Sequence, residues 1–249
     1  MTKYCLLYSY LETKDSKKNL EFFVKNGISV NDNIDYYFII NKHHCSVKFP
    51  SKVKTIPRDN VGHDFAAYKH CLDSINKDEY DYFIFMNDTV IGPFIPRYIP
   101  ENTTWYSMFC SLLSDKIKLS GLTINYFPWG NKSPNLEHVQ SMMFCTDKVG
   151  INILHKTIFN LTAHDYESIY KQNRRNYITK FEIGMSQKIR EHEFKISALY
   201  VCDIKQRKTD DVWYNNHYFN STMNPFETMF IKKNRVNSDI IDLYIKMFS

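Results

Sequence analysis

Short, nearly unbroken apolar runs, separated by amphipathic or polar stretches, set the rhythm of this chain. Residues 3–10 are apolar along most of their length, and residues 34–40 read IDYYFII. Both are expected strands; residues 53–56 predict a short third strand and residues 47–49 a small extra one. Between the first two, residues 16–26 set Leu20, Phe22, Phe23 and Val24 among lysines and glutamates and stop at Gly27. That is the pattern of an amphipathic helix closed by glycine. Residues 63–76 carry Phe65, Ala66, Ala67, Cys71, Leu72 and Ile75 at near-helical spacing. They predict a second helix, which leads into residues 82–86 (YFIFM), a run short and apolar enough for a strand buried on both faces.

Further along, the apolar residues 105–113 fit either helix or strand. Residues 119–127 and 138–146 predict strands, with a polar loop over 128–137 between them. Residues 147–156, 167–177 and 180–192 predict helices, the last with Ile183, Met185 and Ile189 on one face, and residues 195–201 a closing strand. Strands alternating with helices predict an α/β fold with a mostly parallel central sheet flanked by helices. We see no domain boundary, so residues 1–249 read as a single domain, with 202–249 a tail of few periodic runs.

The composition narrows the class. With 249 residues, 43% hydrophobic and 16% aromatic, the chain is long and apolar enough for a substantial core. The net charge of +5 favours an anionic ligand but is too small and scattered for nucleic acid. The cysteines at 5, 45, 71, 110, 145 and 202 form no C-x-x-C pair and read as reduced. The polar-flanked start does not read as a signal peptide, and no apolar run is long enough to span a bilayer. A cytoplasmic location is the expectation.

Four places are able to carry chemistry. Asn87-Asp88-Thr89 closes the central apolar run. An acid there points into a cleft at the ligand-binding end of an open sheet, where Asp88 is able to hold Mg2+ or Mn2+ with help from Asn87 or Thr89; the three residues also suit the start of a turn. In residues 58–69 (RDNVGHDFAAYK), Gly62 stands where a loop becomes a helix and lets backbone approach a ligand. Arg58 and Lys69 are able to meet a diphosphate and Asp64 sugar hydroxyls; Asp64 also suits a first-turn helix acid. Glu182, near the expected start of its helix, suits either a base towards an acceptor hydroxyl or a first-turn acid. His217, after Trp213 and Tyr214, is a candidate metal imidazole. The aromatic residues around it suit a cover over a ligand or a core equally.

Taken together, a strand, R-x-N-x-G, a helix and an apolar strand ending in an acid resemble the front half of nucleotide-sugar glycosyltransferases of the GT-A fold. The closer resemblance is to the rhamnan-synthesis protein F family, whose members have N-x-G-x-D-x-x-A and then a strand ending in N-D-S/T-x-x-G-P. Asn60, Gly62, Asp64 and Ala67, then Asn87, Asp88, Thr89, Gly92 and Pro93, fit it. The HVQS of residues 138–141 and residues 226–232 are also similar, and the likeness extends over about residues 1–233. FEIGMSQKIREHEFKI is similar to the E-D-x-x-L-S-x-R stretch of many inverting enzymes, which implies that Glu182 is the base.

The resemblance implies a GT-A-like, Rossmann-like fold and a divalent-metal-assisted, inverting transfer of sugar from a nucleoside-diphosphate sugar to a hydroxyl of a glycan or other acceptor. It implies donor contacts at Arg58, Asn60, Gly62, Asp64, Lys69, Asn87 and Asp88, metal ligands at Asp88 and His217, and a tail covering the site. Two positions depart from the pattern: Asn87-Asp88-Thr89 is not D-x-D, and Ile183 replaces the second acid of E-D. The first departure favours a rival reading, a catalytically inactive glycan- or protein-binding module. A nucleotidyltransferase, the other rival, needs a glycine-rich loop after the first strand, and residues 10–18 contain no glycine.

Overall fold

In the computed structural model of this chain, residues 1–126, 137–201, 218, 222–236 and 238–248 are described. Strands β1 (Tyr4–Leu11), β2 (Ile34–Asn41), β3 (Val53–Arg58) and β4 (Tyr82–Asn87) are parallel and stand in the order β3-β2-β1-β4. A separate antiparallel pair joins β5 (Val90–Ile91) to β10 (Ile231–Lys232). The main sheet continues beyond β4. The long β6 (Ile117–Tyr126) pairs with β7 (Glu137–Val139), β8 (Met143–Asp147) and β9 (Lys195–Tyr200), and β8 runs antiparallel between β4 and β6. The result is an eight-stranded, mostly parallel α/β sheet flanked by helices, as the alternating pattern predicts.

Helix α1 (Lys14–Gly27) connects β1 to β2, and α2 (His63–Ser74) connects β3 to β4. They are followed by α3 (Trp105–Cys110), α4 (Lys148–Thr157), α5 (Ala163–Gln172), α6 (Arg174–Tyr177) and α7 (Gly184–Glu191), then in the tail α8 (Pro225–Thr228) and α9 (Ser238–Phe248). Both faces of the sheet are dry. Leu6, Tyr8 and Tyr10 of β1 pack with α1, α3 and the tail, while Cys5 and Leu7 pack with α2, α4 and α7. A strand buried on both sides needs no polar alternation, which is why β1, β2 and β4 are nearly unbroken apolar runs with polar residues towards their ends.

Caps fix several boundaries. Thr13 opens α1 with a reciprocal bond to Ser16, and Asp147 opens α4 by accepting from the Gly150 N–H. Thr104 opens α3, so the ambiguous 105–113 stretch is a short helix. Three other expectations are corrected. Residues 47–49 form no strand; Val47 and Phe49 pack onto the core instead, with the Phe49 ring 5.1 Å from that of Phe38. Residues 138–146 are two strands, β7 and β8, divided by a turn at Ser141–Met142. Glu182 does not open a helix. Asn173 caps α6, which runs through a wider π-helical turn (Ile178–Ile183) into α7, so Glu182 lies mid-helix. Among the described residues, no helix is long and apolar enough to cross a membrane.

Candidate active site

The site grows from polar residues at the carboxyl ends of the parallel strands. The register sets Ser9 beside Asn87, Leu11 beside Asn41, and Asn41 beside Arg58. Ser9, Asn41, Arg58 and Asn87 are all buried, and buried polar groups must find partners. They find them in one another and in Asp64. The Ser9 hydroxyl and the Asn87 amide each donate to a different oxygen of Asp64, both at 2.9 Å. Asn41 donates to the Ser9 hydroxyl at 3.2 Å and accepts from Arg58 at 2.7 Å.

Gly62 makes Asp64 available by turning β3 into α2. Its φ of 78° is left-handed, and a Cβ there would lie 2.6 Å from the Ala163 carbonyl oxygen. The Gly62 N–H donates to Glu167 at 2.8 Å, and its carbonyl accepts from the Tyr177 hydroxyl at 3.0 Å. The glycine turn is thus tied to α5 and α6. The anion at the start of α2 is the Glu167 carboxylate, and the close backbone approach is to Ala163.

Asp88 is the first residue beyond β4. Its carboxylate accepts from the Leu11 N–H at 2.7 Å, and its carbonyl accepts from the Asn19 amide at 2.8 Å. Burial pushes the Asp88 carboxyl up to about 7, with the nearby Asp64 charge adding to the rise and the Leu11 bond opposing it. The Asn87 side chain accepts from the Thr89 N–H and hydroxyl, so these residues do start a turn. That turn presents Asn87 and Asp88 to two different cavities.

The larger cavity, about 600 Å³, is lined by Asn87, His138, Ser141, Glu182 and Lys232 among others. The smaller, about 220 Å³, is lined by Asn19, Asp88, Thr89 and again Lys232. In the larger one the Ser141 hydroxyl donates to one oxygen of Glu182, and His138 Nε2 stands 3.5 Å from the other. Burial acts to raise Glu182, but His138, Ser141 and the charge of Lys232 outweigh it and hold the carboxyl below its usual 4.5. The Val139 N–H donates to Ser186 of α7 at 2.9 Å, which fixes β7, and so His138, against the Glu182 helix.

Lys232 arrives with the tail. In the β5–β10 pair it stands opposite Val90, two residues after Asp88. A Cβ on Gly92 would lie 2.5 Å from the Met229 carbonyl oxygen, so glycine is required for the tail to lie this close. The Phe94 N–H seals the approach with a 2.7 Å bond to that oxygen.

Of the residues expected from sequence, the structure gathers Asp64, Asn87 and Asp88 at the strand ends and sets Glu182 across the larger cavity. Asn60 is half-buried in the glycine turn. Arg58 lines neither cavity; its guanidinium is taken by Asn41 and the Val61 carbonyl. Lys69 also lines neither and is paired to Asp73 on the outer side of α2. His217 lies outside the described residues, whereas its neighbour Tyr218 is core, donating to the Ile124 carbonyl. The residues missed as individual candidates are Ser9, Asn41, His138, Ser141 and Lys232. The first two carry the same signal as Asn87, a polar residue near the end of an apolar run.

Among the described residues, no three His, Cys, Asp or Glu side chains form a group able to hold a metal ion. Both oxygens of Asp64 already accept hydrogen bonds. The donors present fit a hard cation in one mode, with Asp88 as the single carboxylate and ligand phosphate or water supplying the other oxygens.

An eight-stranded, mostly parallel sheet flanked by helices, with cavities at its strand ends, defines an α/β protein of the Rossmann-like kind, a fold whose ligands bind at that end. The chain belongs to the rhamnan synthesis protein F family, whose model matches residues 50–243. That span takes in the glycine turn, Asn87-Asp88, Glu182 and Lys232. The chain is also similar to the virulence protein VirA of Vibrio anguillarum, matched both for the species and for strain ATCC 68554 / 775. Identity is 24% over 199 residues, covering 75% of this chain. The chain spans about half, 56%, of the length of these relatives.

Proposed function

We propose that this chain is a glycosyltransferase of glycan synthesis that moves a sugar from a nucleoside-diphosphate sugar to an acceptor hydroxyl. Family membership supports the class. The observation that carries the reading is Glu182, held between Ser141 and His138 on the wall of a cavity of about 600 Å³, a size suited to such a ligand.

The acceptor oxygen attacks the anomeric carbon and its proton passes to Glu182. The bond from that carbon to the diphosphate oxygen breaks, and its electron pair leaves with the diphosphate. Attack from the side opposite the leaving group inverts the anomeric centre. Asn87 and Asp88 meet the donor, and Asp64 holds the Asn87 amide in place. Asp88 would hold a Mn2+ or Mg2+ ion, which would supply positive charge to the leaving group.

The test is release of nucleoside diphosphate from a panel of sugar nucleotides with Mn2+ present. Glu182→Gln should lower turnover about 10²–10⁴-fold with the fold intact. A wild-type chain that is stabilised by a donor but never turns one over would be a binding module instead.

A further inference from the structure

We infer that Lys232 is the fixed cation that receives the negative charge of the departing diphosphate, from the wall shared by the two cavities. The inference rests on the glycosyltransferase reading above and adds a catalytic residue to it.

The geometry is unusual for a lysine. Lys232 lines the cavity that holds Glu182 and also the one that holds Asp88. Its charge is felt by Glu182, Asp64 and Asp88, and it feels the like charge of Arg235. Among the described residues, however, its ammonium makes no hydrogen bond and no ion pair within 4.0 Å. The three acids have made other arrangements: Asp64 with Ser9 and Asn87, Asp88 with Leu11, Glu182 with Ser141 and His138.

A structural lysine that served only to neutralise these carboxylates would touch one of them. This one offers three N–H donors to ligand space, and burial lowers its pKa, as expected of an ammonium that lacks its anion.

The anion that suits the position is a diphosphate. Among the described residues no group of three metal-ligating side chains forms around Asp88, so an ion held there would have few protein ligands, and charge fixed in the chain would supplement it. When the bond from the anomeric carbon to the diphosphate breaks, the electron pair and its charge settle on the leaving oxygen. A cation already in place stabilises that charge without reorganisation. The proton from the acceptor goes to Glu182 on the same cavity wall, so Lys232 need not donate its own. The two-stranded pair with β5 fixes the lysine backbone beside Asp88, as preorganisation requires.

The experiment compares the full wild-type chain with Lys232→Met and Lys232→Arg. Inorganic pyrophosphate is titrated by calorimetry in EDTA and again in Mn2+, and sugar-nucleotide turnover is followed in parallel. Lys232→Met should weaken pyrophosphate binding at least about tenfold in EDTA, and Lys232→Arg should retain most of it. Turnover in Lys232→Met should fall about 100-fold. Lys232→Gln replaces it if the methionine variant fails to fold. A folded variant without the charge that binds pyrophosphate and turns over donor like the wild type overturns the proposal, as does one that loses pyrophosphate but keeps full turnover. A wild-type chain that ignores pyrophosphate and every donor overturns the glycosyltransferase reading itself, and the proposal with it.

Discussion

Replacing His138 by leucine tests how Glu182 is kept ionised. The buried imidazole lies 3.5 Å from the carboxylate. Burial alone pushes Glu182 upward, and His138 is the largest influence in the opposite direction, ahead of Ser141 and Lys232. Leucine roughly preserves the volume and removes the ring nitrogens. Burial should then prevail, and the carboxyl should rise above its usual 4.5.

The sign follows from linkage. A depressed carboxyl contributes stability that is present above its unfolded value, 4.5, and lost as pH falls through its folded value. The leucine variant therefore lacks that contribution at neutral pH, whereas the wild type loses it only below pH 4.5. For catalysis, a base works only when deprotonated. The Glu182 contribution to the acid limb of kcat/KM should lie below pH 4.5 in the wild type, beneath the limb near 7 that Asp88 sets, and should move upward in the variant. A pH–rate series from 4 to 8, paired with urea unfolding at pH 7, measures both. A Glu182 contribution that stays in place in a folded His138→Leu chain refutes the reasoning.

Asp88→Asn should keep the bond to the Leu11 N–H and remove the titration. A raised carboxyl gives stability that is present below 3.8 and lost as pH rises through about 7. The variant should therefore melt higher than the wild type at pH 8 but not at pH 3.5, by scanning fluorimetry, while losing donor turnover. Gly62→Ala must adopt a φ of 78° and clash with the Ala163 carbonyl; it should lose about 2 kcal/mol or more in chemical denaturation. Lys69→Ala breaks a surface pair with Asp73 and should stay within about 0.5 kcal/mol of wild-type stability with unchanged turnover. A large loss of turnover would return Lys69 to the diphosphate.

Much of the fold was legible because each central strand is buried on both faces, and YFIFM has few other uses. Asn87 and Asp88 were legible for the same reason, since polar residues closing such a run lie at the carboxyl end of the strand. Arg58 and Lys69 misled because spacing along a chain does not say which partner is nearer. Arg58 found Asn41 on the adjacent strand, and Lys69 found Asp73 one helical turn away. Glu182 does line the larger cavity, but its helix start was misplaced, because Ile178, Phe181 and Ile183 of the π-helical turn read like any other helical apolar spacing and do not mark that α6 runs into α7. Lys232 was hardest to see. It sits in a two-residue strand whose partner follows Asp88, and nothing in the intervening sequence announces that pairing.

That short pairing has a consequence for how the protein comes into being. Among the described residues, the strands of the main sheet lie before residue 201, so a nascent chain can pair them while residues 231–232 are still inside the ribosome, and Met229, Phe230 and Ile231 complete one face of the core afterwards. At that stage the wall shared by the two cavities would still lack Lys232.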